Sequence, residues 1–371
     1  MRLPAFKSPP IPRAAGVTDR QVALGLSARF FDELLSGLPD VLMPTIRVQL
    51  GLSFLQISLL SLTLNYVAAA VEPVSGLLID IWPRRWLMAW GAAGIGVSII
   101  LMGAAPTFLA LAVAFGIYGL GSGPLAHTAD VALVEAHPTA PDRIFARATM
   151  LDTVGALLGP ALVTLTFWLG LPWRWLLVGL GVSSLVYAVA LLRTHFPSPL
   201  VAPDRENPTG IWARIGGSVK TVFAHPTARY WLLFSLAFEL LETPFQFTTV
   251  WLAEYVGMSQ ALVGVYQVMG MAVGLVSLWT LDRWRQRVST QQVLWWAAIG
   301  VALLYPAWLF TPGIGTRFLL AIPLTFLFAM FWPIVRSQAL ASMPGRAGAM
   351  TAVLSLLGLL PLPLLLGMLA D

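Results

Sequence analysis

Ionisable side chains are scarce in this chain, and several stand where they are hardest to accommodate. Arg29, Asp32 and Glu33 interrupt one long apolar run; Glu72, Asp130, Asp152, Glu239 and Glu242 interrupt others, and His127 precedes Asp130 by three residues. Arg29 stands three and four residues before Asp32 and Glu33, so on a helix the three share a face and partly neutralise one another. Glu239 and Glu242 have no base within a helical turn. An ionisable group at the centre of a bilayer costs at least ~2.5–3.5 kcal/mol by insertion scales. A carboxyl group pushed toward neutrality by desolvation exchanges a proton near physiological pH. The chemistry these residues suggest is therefore proton or ion handling inside an apolar medium. The plainer alternatives are a structural ion pair at Arg29 and a hydrogen-bonded packing role for His127.

The elements that carry these groups are apolar helices. Of 371 residues 58% are hydrophobic and 11% charged, with a mean hydropathy of +0.80. Runs of about 20 apolar residues cross a hydrocarbon core as helices, and lipid tolerates only helices or closed barrels. These runs are continuous rather than alternating, which excludes a barrel. The expectation is an all-α polytopic membrane protein with eleven spans: 22–46, 53–80, 86–104, 107–135, 146–169, 173–193, 229–256, 260–281, 290–311, 316–340 and 347–369. Arg29 and Arg336 fall inside spans. A polar stretch, 194–228, divides them six and five, giving a tail (1–20), a six-helix bundle (21–193), a linker (194–228) and a five-helix bundle (229–371). The linker's second part has Ile211, Ile215, Val219 and Val222 at helical spacing, as in a helix lying on the membrane surface.

Basic residues gather at the helix ends expected on one side, which places the N-terminus in the cytoplasm. The net charge of +5 is thus a topology signal and not one for nucleic acid. The chain has no cysteine. No phosphate-binding loop, zinc-ligand set or nucleophile elbow occurs, so neither enzyme chemistry, a cofactor nor a metal is expected. The first twenty residues lack the apolar core of a cleaved signal peptide.

The halves share a faint repeat. "DELLSGLP" (32–39) and "FELLETPF" (238–245) each set Glu-Leu-Leu before a helix-loosening Gly or Pro, roughly 15 Å from the expected cytoplasmic end at 1.5 Å per residue. "GLLIDIWPRR" (76–85) groups an acid and two arginines in a single turn. Through Gly76, Asp80, Arg84 and Arg85 it resembles the loop motif of the major facilitator superfamily, Gly-x-x-x-Asp-(Arg/Lys)-x-Gly-Arg-(Arg/Lys). Ile81 and Pro83 depart from that motif. "LDRWRQR" (281–287) resembles a degenerate second-half copy of it in Asp282, Arg283, Arg285 and Arg287, and "GALLGP" (155–160) resembles an exporter-type helix motif in Gly155, Gly159 and Pro160. "GLPDVLMP", "LGLSFLQISLLSLTLNY", "EPVSGLLID" and "GLGSG" resemble the fosmidomycin-resistance-type drug exporters within that superfamily.

The resemblance implies two helical bundles rocking about a midplane cavity in a plasma (inner) membrane. It implies a monomeric, proton-coupled exporter of a small organic solute. A proton-coupled importer of a sugar or organic anion is the alternative reading; a truncated, non-transporting membrane protein is the third, since the family plan has twelve helices and the expected set lacks the last, peripheral one. Proton or substrate binding would fall to Arg29, Asp32, Glu33, Glu72, Asp152, Glu239 and Glu242. Phe30, Phe31, Asn65, Tyr66, His127 and Gln246 would line the cavity. A cytoplasmic gate would comprise Gly76, Asp80, Arg84, Arg85, Asp130, Asp282 and Arg283. In it Asp80 meets the start of the eleventh helix, "GRAGAM", and Arg84 or Arg85 meets Asp130 or Glu135.

Overall fold

Helix follows helix in the computed structural model, which describes residues 11–197, 211–242, 248, 251–252, 255–258 and 260–357. The first half is α1 (Asp19–Leu50), α2 (Phe54–Ile81), α3 (Arg84–Ala104), α4 (Phe108–Ala136), α5 (Pro141–Trp168) and α6 (Trp173–Leu192). After α7 (Ile211–Ala224) the second half has α8 (Pro226–Glu242), α9 (Gln260–Trp284), α10 (Thr290–Phe310), α11 (Ile314–Phe328), α12 (Phe331–Ala341) and α13 (Ala347–Leu357). Polar residues between apolar runs set the starts. Thr18, Ser53 and Ser289 each cap a helix through a reciprocal box with a glutamine three residues on, satisfying amides that lipid could not.

Among the described residues, eight stretches of helix are long and apolar enough to cross a membrane, with α11 and α12 together forming one of them, against the eleven expected. The other three expected spans begin with α1, α8 and α13. The charges of α1 dilute its hydropathy, while α8 has 17 described residues and α13 has 11. One expected span, 316–340, is two helices. Ala329 and Met330 break it: Pro333 offers no amide to the turn before it, and Met330 N–H bonds instead to Leu327 three residues back.

Without a hydrophobic drive between helices in lipid, small residues decide which ones touch. A Cβ on Gly91 would lie 2.6 Å from the Gly121 carbonyl, and one on Gly96 would lie 2.8 Å from that of Gly181. These glycines press α3 against α4 and α6. Ser184 Oγ donates across the same seam to the Ala92 carbonyl at 2.8 Å. Gly155 does the same for α5 on α1, since its Cβ would meet the Phe30 carbonyl at 2.6 Å.

The segment before α1 is docked rather than loose, with Ala14 N–H donating to the Ala136 carbonyl at 2.9 Å and Ile11 buried. In α7, Val222 is fully buried in a cluster with Ile79, Val131, Phe145 and Ala347, which come from both halves.

Candidate functional site

Two constellations of charge join what the sequence keeps apart. The first lies at the end of the molecule where α2, α4 and α9 finish and α5 and α13 begin. Asp80, in the last turn of α2, accepts hydrogen bonds from Gly348 N–H and Ala349 N–H at 2.8 Å each. These amides belong to the first turn of α13, where intrahelical partners are lacking and the helix dipole favours an anion. Closeness is what permits it. A Cβ on Gly76 would lie 2.6 Å from the Ala352 nitrogen, and one on Gly348 would lie 2.2 Å from the Gly76 carbonyl.

The pseudo-equivalent acid at the end of α9 makes the matching contact with different chemistry. Asp282 takes Arg143 Nε at 3.0 Å and Arg147 Nη2 at 2.9 Å, both from the first turns of α5. Arg285 pairs back with Asp142, and Thr290 Oγ1 donates to the same carboxylate at 3.3 Å. Asp142 and Asp282 are buried. Beside them Arg84 Nη2 donates to Glu135 Oε2 at 2.6 Å, within the first half.

The second constellation lies deeper, around Arg29. Its Nη2 donates to Asp152 Oδ2 on α5 at 2.6 Å, and its Nε stands 3.6 Å from Asp130 Oδ1 on α4. The guanidinium thus ties three helices of one half. It reaches across to other helices instead of settling on Asp32 and Glu33 of its own turn. Asp32 instead accepts from Ser122 Oγ at 3.0 Å, and Glu33 accepts from Ser36 Oγ at 3.4 Å. From the other half, Arg336 on α12 is buried within electrostatic reach of Asp130, Arg29, Glu72 and Glu239. Arg29 Nε, His127 Nδ1, Asp130 Oδ1, Asp152 Oδ1 and Arg336 Nε are all buried without a hydrogen-bond partner among the described residues. Such atoms are costly in a dry site, so this is where a proton, water or polar ligand gains most.

Several expected placements differ. Asp130 belongs to this deeper cluster and not to the gate, because Arg84 finds Glu135 one and a half turns nearer the helix end. Arg283 stacks over Trp279 of its own helix at 3.8 Å, and Arg285 takes the inter-half pairing. Arg85 lies over Trp86 at 6.0 Å. Phe31 stacks on Tyr187 at 4.8 Å inside the first bundle, with Phe30 edge-on to it at 5.8 Å. Asn65 and Tyr66 are exposed. Glu72 packs on Gly123, Glu239 and Glu242 are half-buried, Gly159 sits against Leu34, and Pro160 lies inside α5. Gln246 lies outside the described residues.

Arg143 and Arg147 were legible only as positive-inside residues, although their i, i+4 spacing was a usable sign; Arg285 was legible in the second-half copy of the loop motif, and Asp142 was not singled out. Arg336 was visible as a base inside a span without an assigned partner.

The chain matches the model of the Major Facilitator Superfamily over residues 25–363. An uncharacterized MFS-type transporter, YfnC, of Bacillus subtilis is 27% identical over 101 residues, 27% of this chain and 24% of that protein. The fosmidomycin resistance protein of Escherichia coli is 24% identical over 114 residues, 29% of this chain and 28% of that one. The matched stretches span about a quarter of these relatives' own length. Among solved structures, the transporter FucP in the outward conformation aligns over 94% of this chain and 92% of its own, with a TM-score of 0.71 and 18% identity. A bacterial homologue of the iron transporter ferroportin in an outward-facing state aligns over 95% and 93%, with a TM-score of 0.71 and 17% identity.

Proposed function

The chain belongs to the major facilitator superfamily, and from that membership we propose that it is a secondary active transporter that exports a small organic solute in exchange for protons. The observation that carries this reading is the arrangement around Arg29. One base holds Asp152 and Asp130 from two other helices, with Asp32 and Glu33 on its own helix beside it, while Arg336 of the opposite half lies within electrostatic reach of Asp130. Acids outnumber bases there, so protons or a substrate's positive charge must balance the remainder. A solute whose cationic or donor group competes with those protons would be exchanged for them.

The bonds from Asp80 to α13 and from Asp282 to α5 form the gate in this reading. With the N-terminus cytoplasmic, both lie on the cytoplasmic side and hold that side shut in the outward-facing state. Alternating access then requires both to part. The break between α11 and α12, one turn and a half before Arg336, supports a binding region there, since discontinuous helices often line such sites. The coupling acids are Asp32, Glu33, Asp130, Asp152, Glu239 and Glu242, with Glu72 on the cytoplasmic side. A monomer in the plasma (inner) membrane completes the proposal.

Purified protein in liposomes tests it. An imposed pH gradient should drive uptake of the exported solute into inside-out vesicles, with protons leaving in exchange. Solute uptake together with protons from the outer side would instead establish the importer reading. The E. coli fucose:proton symporter FucP has this fold, so fold alone does not decide direction. Flux no greater than in empty liposomes, from well-folded protein, would sink both.

A further inference from the structure

Between the segment that leads into α1 and the end of α4 lies a cleft walled by Val17, Val22, Leu133 and Phe196, with Arg84 and Glu135 on its polar side. All of its walls belong to the first half, so it is separate from the space between the halves. Two contacts hold the walls in place: Ala14 N–H on the Ala136 carbonyl, and the Gln21 side-chain amide on the His195 carbonyl. The free volume is about 140 Å³, close to the roughly 150 Å³ of an apolar cavity that takes up benzene. Arg84 is 3% exposed, and its Nη2 donates to Glu135 Oε2 at 2.6 Å. That pair leaves one donor, Arg84 Nε, and one acceptor, Glu135 Oε1, buried without a hydrogen-bond partner among the described residues. Gln21, the third polar residue of the wall, has both ends of its amide satisfied, by the His195 carbonyl and by Thr18 N–H.

We propose that this cleft is a binding site for a small uncharged phenol, its ring on Val22, Leu133 and Phe196 and its hydroxyl on the Arg84–Glu135 pair. A hydroxyl oxygen accepts from Arg84 Nε while its hydrogen goes to Glu135 Oε1, so one small group satisfies both atoms. A hydrocarbon ring of the same size leaves both unsatisfied, which is costly in a buried place. A charged head is excluded for a different reason. The ion pair is neutral as it stands, so a carboxylate or an ammonium brings an unbalanced charge into a largely apolar cleft. Volume sets the size: one six-membered ring with its hydroxyl fits, and a fused ring system does not. A seated phenol ties the first turns of α1 and α3 to the last turn of α4, beside the turn that carries Asp80. The inference depends neither on the transported solute nor on the direction of transport.

The test is a fluorine NMR titration of purified protein in detergent, with 4-fluorophenol as the probe. 1,4-Difluorobenzene keeps the ring and exchanges the hydroxyl for fluorine, and 4-fluorobenzoate carries a charge. Ala132→Leu fills the cleft from its wall without touching a charge, and it supplies the background of probe dissolved in micelles. 4-Fluorophenol should bind at least about tenfold tighter than 1,4-difluorobenzene, the difference one charge-assisted hydrogen bond supplies. Ala132→Leu should lose saturable binding with its melting temperature not lowered. Arg84→Met with Glu135→Leu removes both charges together, an exchange that buried ion pairs often tolerate, and should bind the two neutral probes equally. Equal affinity of the unaltered protein for 4-fluorophenol and 1,4-difluorobenzene, or tighter binding of 4-fluorobenzoate, overturns the proposal. Undiminished 4-fluorophenol binding in Ala132→Leu, or a surviving preference for the phenol in the double variant, overturns it as well.

Discussion

The carboxylate of Asp80 accepts a 2.8 Å hydrogen bond from the backbone amide of Gly348, joining the last turn of α2 to the first turn of α13. This contact needs no positive side chain, because the anion is held by free amides and the helix dipole. It does need two backbones almost in touch, and the glycines at 76 and 348 are its condition. Gly348→Ala places a methyl 2.2 Å from the Gly76 carbonyl. The helices must then separate, and both amide bonds to Asp80 lengthen. We expect Gly348→Ala and Asp80→Asn to lower the melting temperature and to raise labelling of cysteines introduced at this end of the molecule. Unchanged labelling in both variants would show that this contact does not hold the end shut.

The second inter-half contact should respond differently. Asp282 is 2% exposed and pairs with both Arg143 and Arg147. Removing it leaves two arginines without their carboxylate in a buried site, a loss of about 3–5 kcal/mol by the usual cost of breaking a buried pair. Asp282→Asn should therefore destabilise more than Asp80→Asn. Adding Arg147→Gln should recover part of the loss, since Arg147 is the more exposed of the two partners. Thermal melts of the single and double variants measure the coupling, and strict additivity would contradict a shared site.

The helical fold was legible because lipid forces it: continuous apolar runs leave little choice. The contact of Gly76 and Asp80 with "GRAGAM" was legible through small residues and a lone acid. Partners were not, wherever a long side chain could choose among helices. Arg29 lies a turn from Asp32 and Glu33, yet its guanidinium extends to Asp152, 123 residues away. Local spacing ranks the neighbours on one helix and says nothing of the acids that packing brings from others. Likewise Arg283 and Arg285 differ by two positions, and only the orientation of α9 decides which one meets Asp142. The expected count of eleven spans is not matched: charge dilutes α1, which is not among the eight qualifying spans of the described residues.

Around Arg29 the expected effect is on coupling more than on folding. Arg29→Gln leaves Asp152 and Asp130 without their nearest positive charge. Flux driven by a pH gradient should fall by at least about tenfold, a loss of one buried charge-assisted bond. Arg29→Lys should recover part of it. If Asp152→Asn alone abolished exchange while Arg29→Gln left it intact, Arg29 would be a packing residue only. The companion test is Glu239→Gln with Glu242→Gln: full gradient-driven transport in the double variant would make those acids structural.

Outside the spans, His137 offers a check on folding linkage. It follows the end of α4, is 1% exposed, and its Nδ1 lies 2.9 Å from the Leu133 carbonyl. Burial lowers its pKa below the ordinary 6.5, against the opposing pull of the Leu133 carbonyl; the charges of Arg13 and Arg147 add to the lowering. An unfolded chain therefore binds a proton here at pH values where the folded protein does not. Stability from this group is complete above about 6.5 and is lost as pH falls below it toward the folded value. His137→Asn retains a donor for the Leu133 carbonyl and cannot take up the proton. The melting temperature of the wild-type protein should drop more steeply than that of the variant between pH 6.5 and pH 5, with both alike above pH 7.5. Parallel curves would mean that His137 titrates equally in folded and unfolded chains, and that its burial at the α4 terminus is relieved by water.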